Sequence, residues 1–283
     1  MNPQQRTVER IIEPQPVIEG AGVRLKRSIG TAALDYLDPF LLLDHFASTD
    51  AADYEAGFPL HPHRGIETVT YVLTGEVDHR DTLGNSGRIG AGDVQWMTAG
   101  GGIMHEEMPQ VRPEGIDGFQ LWVNLPAKLK MTQPKYQGIL SSEIPKVEVE
   151  GGATVRVITG TTNGTTGPVS GIAADPTYLD VSVPAHASFK QQIGSGHSAF
   201  AYVFEGDAAF DADHRISHTR LVVFGDGNHV EVATDDSPVR FLLVSGKPLN
   251  EQIARYGPFV MNTREEIEQA LRDLRNGTFV YKG

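Results

Sequence analysis

Residues 58–81 read FPLHPHRGIETVTYVLTGEVDHRD and begin with two histidines one residue apart, His61 and His63. On an extended strand, residues i and i+2 project to the same face, about 6.6 Å apart along the chain. The two imidazoles can therefore act together while Pro62 faces away, and proline suits the start or edge of a strand, where no ladder donor is needed. The same spacing returns in GGGIMHEEMP, where His105 and Glu107 share one face and Glu106 takes the other. Three neutral imidazoles and one carboxylate converging from two strands suit a first-row divalent metal. On an octahedral ion they leave two cis positions for substrate or dioxygen. Three of the ten histidines fall in these motifs; His45, His79, His186, His197, His214, His218 and His229 lack the pairing and are expected to be structural or solvated. Glycines at Gly57, Gly75, Gly90, Gly92 and Gly100 to Gly102 supply turns around the motifs.

The elements that must position these residues are mostly strands. Gly and Pro punctuate the chain into short segments such as VTYVL, DVQWM, FQLWVNL, TVRVITG, YLDVSV, AFAYVF, RLVVF and RFLLV, each rich in β-branched or aromatic residues. One helix is predicted near the end. Thr263 and Glu266 form a capping box, Ile267, Leu271 and Leu274 follow at i, i+4 and i+7, and Asn276-Gly277 closes it. LDPFLLLDHF, from Leu37 to Phe46, reads as a buried strand or a turn, which periodicity does not separate. Trp96 and Met97 alternate faces, and Trp96 is expected to pack in the core. Asp78 to Asp81 reads as a polar hairpin rim.

Tyr71–Val77 (YVLTGEV) aligns with Tyr202–Ala208 (YVFEGDA) at an offset of 131 residues, close to half of the 283-residue chain. Duplication of one β unit accounts for the match, and the length favours two domains of about 140 residues over a single core. AKLKMTQPKYQGILSSEIP has turn residues and little apolar periodicity, as a connector would. Carrying His61, His63 and Glu67 across the offset lands on Gln192, Gly194 and Ser198, which cannot complete a metal site.

Composition removes other classes. The net charge is -12 with a pI near 5.2, and no Lys/Arg run exceeds two residues, so direct nucleic-acid binding is not expected. The absence of cysteine excludes disulfides, thiolate metal sites and cysteine nucleophiles. No signal-peptide core or apolar span long enough for a bilayer is present, so a soluble, cytoplasmic protein is expected.

HPHRGIE followed by Gly75, then Gly92-Asp93 and a later histidine, resembles the metal-binding motifs of the cupin superfamily. More narrowly, LDPFLLLDHF, the 58–81 block, GAGDVQWMTAGGGIMHEEMP, LWVNLP and YGPFVMNTREEIEQA together resemble the pirin family. That resemblance implies an all-β bicupin: two β-sandwich barrels in one chain, a metal-binding domain over 1–137, a second domain over 138–283 without metal ligands, and a short C-terminal helix. It implies one divalent transition metal on His61, His63, His105 and Glu107. Fe(II) is the family expectation, and manganese, nickel, cobalt, copper and zinc are compatible with the same donors. Glu67 is a ligand in many cupins but not in pirins, and alternation from His63 predicts it on the inward face, behind the ligands. The implied activity is quercetin 2,3-dioxygenase, in which a flavonol and dioxygen give a ring-opened depside and carbon monoxide, with Glu107 as the base. The alternative is an iron-dependent, redox-sensitive regulator acting through protein contacts without turnover. Expected partners are a flavonol-like substrate and dioxygen, or a protein under the alternative, with no nucleic acid or membrane, for a monomer.

Overall fold

The structure, a computed structural model, describes residues 4–281; the outermost residues of the expected domains lie outside the described residues. The chain forms two compact units, and neither is continuous in sequence. The first comprises Gln15–Tyr36, Phe40–Ser141 and the chain from Leu249 onward. The second comprises the chain through Pro14, Leu37–Pro39 and Ser142–Pro248. A single cut at 137/138 thus differs from the observed grouping at both ends of the chain. Strand Val8–Ile12 finds its ladder partner in Arg220–Phe224 of the second unit, and the C-terminal helix buries its apolar stripe in the first.

Both units repeat one plan. In the first, the strands run in the order Lys135–Ile139, Val94–Thr98, Ile66–Thr74, Ile116–Asn124, Phe40–Ser48, Val23–Ile29 and Gln15–Glu19, all antiparallel. In the second, the path is Val8–Ile12, Arg220–Phe224, Ser198–Ala209, Val239–Gly246, Thr177–Val183, Thr154–Thr159 and Lys146–Glu148. The two copies of the repeated motif begin in strands that occupy equivalent places in these paths. The core of the second unit gathers residues such as Phe189, Phe210, Phe224 and Phe241 from both of its layers.

A smaller sheet in the first unit, ordered Phe58–His63, Ile103–Pro109, Val77–Asp81 and Ser86–Ile89, forms its second layer. Alternation explains what faces what. Along Ile116–Asn124, Phe119, Leu121 and Val123 are fully buried on one face, while Gln120 and Trp122 on the other line a cavity. Phe40–Ser48 is the strand within LDPFLLLDHF, and it shows no alternation because both faces are buried.

The expected connector is tied into the first unit instead. Lys135–Ile139 pairs with Val94–Thr98 at the sheet edge, and Lys130 is buried. Its Nζ donates to the Gly65 carbonyl at 2.9 Å, Asn124 Oδ1 at 2.7 Å and the Val260 carbonyl at 2.7 Å. Three acceptors match the three donors of an ammonium group, which is how so polar a segment tolerates burial.

The predicted helix spans Arg264–Asn276, with both capping-box hydrogen bonds formed at Thr263 and Glu266 and left-handed Gly277 at its end. Ile267 and Ala270 are buried, and Leu271 and Leu274 pack beside them against Phe259, Met261 and Phe279. No helix among the described residues is long and apolar enough to cross a membrane.

Candidate metal centre

Strands Phe58–His63 and Ile103–Pro109 pair antiparallel with His105 opposite His61 and Ile103 opposite His63. This register sets all three imidazoles on one face. Their candidate ligand atoms lie within 4.8 Å of one another, with His61 Nε2 and His63 Nε2 3.0 Å apart. Two nitrogens bound at about 2.1 Å to one ion, at right angles, stand about 3 Å apart. His61 Nδ1 lies 2.9 Å from the Pro59 carbonyl. A proton donated there leaves Nε2 with its lone pair directed at the cluster.

The electrostatics favour lone pairs over protons. Burial, then the neighbouring His105 and His61, lowers the His63 pKa well below the ordinary histidine value. Burial, then His61 and His79, lowers that of His105 to about 3. Both rings are therefore neutral at pH 7. His63 Nδ1 and both ring nitrogens of His105 are buried without a hydrogen-bond partner. Unmet polar atoms of this kind are costly, and a metal ion accepting imidazole lone pairs removes much of the cost, so the residues present fit a metal.

Glu107 follows His105 at i+2, with a register irregularity between them. It faces Phe58 on one neighbouring strand and His79 on the other. The carboxylate is buried and lines the same cavity as His61 and His63. Thr70 Oγ1 stands 2.9 Å from Glu107 Oε1 and 2.7 Å from Gln120 Oε1. A hydroxyl has one proton, so both contacts are satisfied when the Gln120 amide is turned to donate to Thr70, which then donates to Glu107. Glu106 points to the opposite face and pairs there with Arg80. His79 lies tilted against Tyr136, ring centroids 5.7 Å apart, and burial lowers its pKa against the opposing charge of Glu107.

Glu67 departs from expectation. The chain turns at Gly65, at φ +80°, between the strand ending at His63 and the one beginning at Ile66, so alternation does not carry across. Glu67 lies on the face opposite Thr70, accepts from Thr98 Oγ1 at 2.7 Å, and has its pKa raised chiefly by burial.

The cavity, about 600 Å³, is walled by apolar side chains including Val23, Leu25, Phe46 and Tyr54. Its volume is in the range of small-molecule sites. Trp122 stands edge to face with His63, ring centroids 5.2 Å apart. Thr70, Gln120, Trp122, Arg27 and Arg255 belong to this cavity or its hydrogen bonds, and none was singled out from sequence. The strand pattern around Thr70 offered only a weak signal, namely polar residues alternating within a run that is otherwise apolar.

The Pirin family model matches residues 22–123, and the Pirin C-terminal cupin domain model matches residues 178–280. A pirin-like protein of Caulobacter vibrioides is 47% identical over 277 residues, covering 97% of this chain and 99% of its own. The chain belongs to the pirin family. Human pirin is 45% identical over 265 residues, covering 91% of this chain and 88% of its own. The crystal structure of a quercetin 2,3-dioxygenase from Acinetobacter baumannii matches with a TM-score of 0.87 at 33% identity, over 98% of this chain and 99% of that one. The two units are thus the cupin-type domains of a pirin, and the three histidines lie in the domain that carries the N-terminal pirin match.

Proposed function

We propose that this pirin is a metal-dependent dioxygenase that cleaves flavonols such as quercetin, with its ion held by His61, His63, His105 and Glu107. The observation that carries the reading is a cluster of three imidazoles, two of them buried with ring nitrogens that have no protein partner, at the wall of an apolar cavity large enough for a three-ring substrate. A bound divalent ion, iron(II) by family expectation, would supply Lewis-acid activation of the flavonol 3-hydroxyl and electron transfer to dioxygen. The protein supplies the remainder. Glu107 takes the 3-hydroxyl proton, and Thr70, backed by Gln120, holds one carboxylate oxygen and leaves the other for that transfer. Trp122 and Phe46 flank the substrate rings, and the apolar walls exclude water, which strengthens each polar contact inside. Cleavage of the flavonol with one dioxygen yields the depside and carbon monoxide.

The test is oxygen uptake and loss of flavonol absorbance on iron-loaded protein with quercetin, beside a His61→Ala/His63→Ala control. The expected result is turnover with carbon monoxide release in the parent and none in the control. Iron bound without turnover would overturn the enzyme reading and favour the redox-sensitive regulator.

A further inference from the structure

Two guanidinium groups line the cavity, and they are held differently. Arg27 is saturated by carboxylates: Nε and Nη2 donate to the two oxygens of Asp44 at 2.8 and 2.7 Å, and Nη1 donates to Glu19 at 2.7 Å. Arg255, on the short strand Ala254–Tyr256, has no carboxylate at ion-pair distance among the described residues. Its Nη1 donates to the Leu41 carbonyl at 3.2 Å, and its Cζ lies 5.2 Å from the Trp122 ring centroid. Nε and Nη2 have no hydrogen-bond partner among the described residues, and Arg255 is exposed, so these donors stand open where the residue lines the cavity. Asp35, Asp44 and Glu19 act on Arg255 only through space, while burial and the positive charge of Arg27 lower its pKa. No carboxylate meets the guanidinium directly, so its open N–H groups can donate to a ligand anion in place of water.

Position gives the second argument. The same indole that carries Arg255 over its ring stands perpendicular to the His63 imidazole, so guanidinium and imidazole are separated by one ring system, at most roughly 10 Å end to end. Gly257 and Pro258, two and three residues further along the chain, also line the cavity. A planar substrate with one end at the histidines lays its far end against Trp122 and Arg255.

We propose that Arg255 and Trp122 form a subsite for an anionic group at the far end of a planar aromatic substrate, so that the preferred substrates carry a carboxylate or equivalent charge about two rings from the oxygen presented to the histidines. This rests on the cavity being the substrate site. Arg255 is then a specificity residue: it reads the end of the substrate that does not react.

The test is calorimetric binding of 3-hydroxyflavone and of its 4′-carboxylate to the full-length, zinc-loaded protein, which binds without turning over. The parent protein is expected to bind the carboxylate at least about tenfold more tightly than the neutral compound, a gap that narrows with added salt. Arg255→Gln is expected to remove the preference by weakening the carboxylate far more than the neutral compound, and Arg255→Lys to restore part of it. No preference in the parent, a preference that survives Arg255→Gln, equal weakening of both compounds, or binding of neither overturns the subsite. Oxygen uptake by iron-loaded protein with the same two compounds reports separately on the dioxygenase. Turnover without charge preference removes the subsite alone, and charge preference without turnover removes the dioxygenase alone.

Discussion

Asp273→Ala removes one partner of the buried ion pair that holds the C-terminal helix to the strand bearing His61 and His63. Arg64, the residue after His63, is 3% exposed. Its Nη1 donates to Asp273 Oδ2 at 2.7 Å, Nε to the Gly101 carbonyl at 2.7 Å and Nη2 to the Phe279 carbonyl at 3.0 Å, with its Cζ 4.5 Å from the Phe279 ring centroid. Deleting the carboxylate leaves a buried guanidinium with two neutral acceptors, a change that costs about 3–5 kcal/mol. The Asp273 side chain is 20% exposed, so water can partly replace it and the lower end, about 3 kcal/mol, is expected. In native-state hydrogen exchange, amides of Arg264–Asn276 should then exchange roughly 100-fold faster at pH 7. Burial pulls the Asp273 pKa up, but its hydrogen bonds from Arg64 and Gln269 pull harder and the net value is lowered. A carboxylate depressed in the folded state contributes its stability above the unfolded value of about 3.9, and loses it as pH falls through the folded value. Parent and variant should therefore converge only in acid below that window. A protection loss under about threefold at neutral pH would refute the reasoning.

Gly65→Ala should be far more damaging than Gly84→Ala. A Cβ at Gly65 would meet the Val260 carbonyl oxygen at 1.9 Å, whereas one at Gly84, also at positive φ, meets nothing within 4 Å. Chemical denaturation should give about 1 kcal/mol for Gly84→Ala and loss of soluble or metal-binding protein for Gly65→Ala; similar costs for both would contradict the close packing. Metal affinity, measured by chelator competition, should fall by clearly less than about three decades per pH unit between pH 6.5 and 5, because His105, at about 3, is already deprotonated there and burial shifts His63 in the same direction. Three ordinary histidines would give up to about three decades, and a slope that steep would mean the rings are solvated. Thr70→Val should lower metal affinity by about 10- to 100-fold while the fold survives; unchanged affinity would mean that Glu107 does not depend on this hydroxyl.

The strands, the repeat and the helix were legible because each has a local signature: β-branched runs between glycines, a seven-residue match at half-chain offset, and a capping box followed by a helical stripe. The gathering of His61, His63 and His105 was legible for the same reason, since i, i+2 spacing on paired strands is a two-dimensional fact. Three things were not. Glu67 failed because strand alternation does not survive a left-handed glycine, and the sequence does not say whether Gly65 ends a strand. Lys130 failed because a polar segment reads as a linker unless its three acceptors, scattered from Gly65 to Val260, are known. Arg255 failed because it reaches the cavity from a segment nearly 200 residues after His61, and no local pattern reports a contact at that distance.

The residues of HPHRG divide into two jobs, and the division has a thermodynamic consequence. His61 and His63 face the cavity; Arg64 and Gly65 are read by the C-terminal segment. The Val260 amide donates to the Arg64 carbonyl at 3.1 Å, and the Tyr281 amide donates to the Gly102 carbonyl at 3.0 Å, just before the strand that carries His105. One segment thus holds the end of each histidine-bearing strand. If its docking fixes the separation of the imidazoles, metal binding and docking are coupled, and the coupling must be the same in both directions. Metal removal should accelerate amide exchange in Arg264–Asn276, and Asp273→Ala should weaken zinc binding by a comparable factor. Exchange in the helix that is indifferent to metal, together with zinc affinity that is indifferent to Asp273, would show that the strands are rigid without the segment. The Arg64–Asp273 ion pair would then be structural and merely adjacent to the proposed ligand His63.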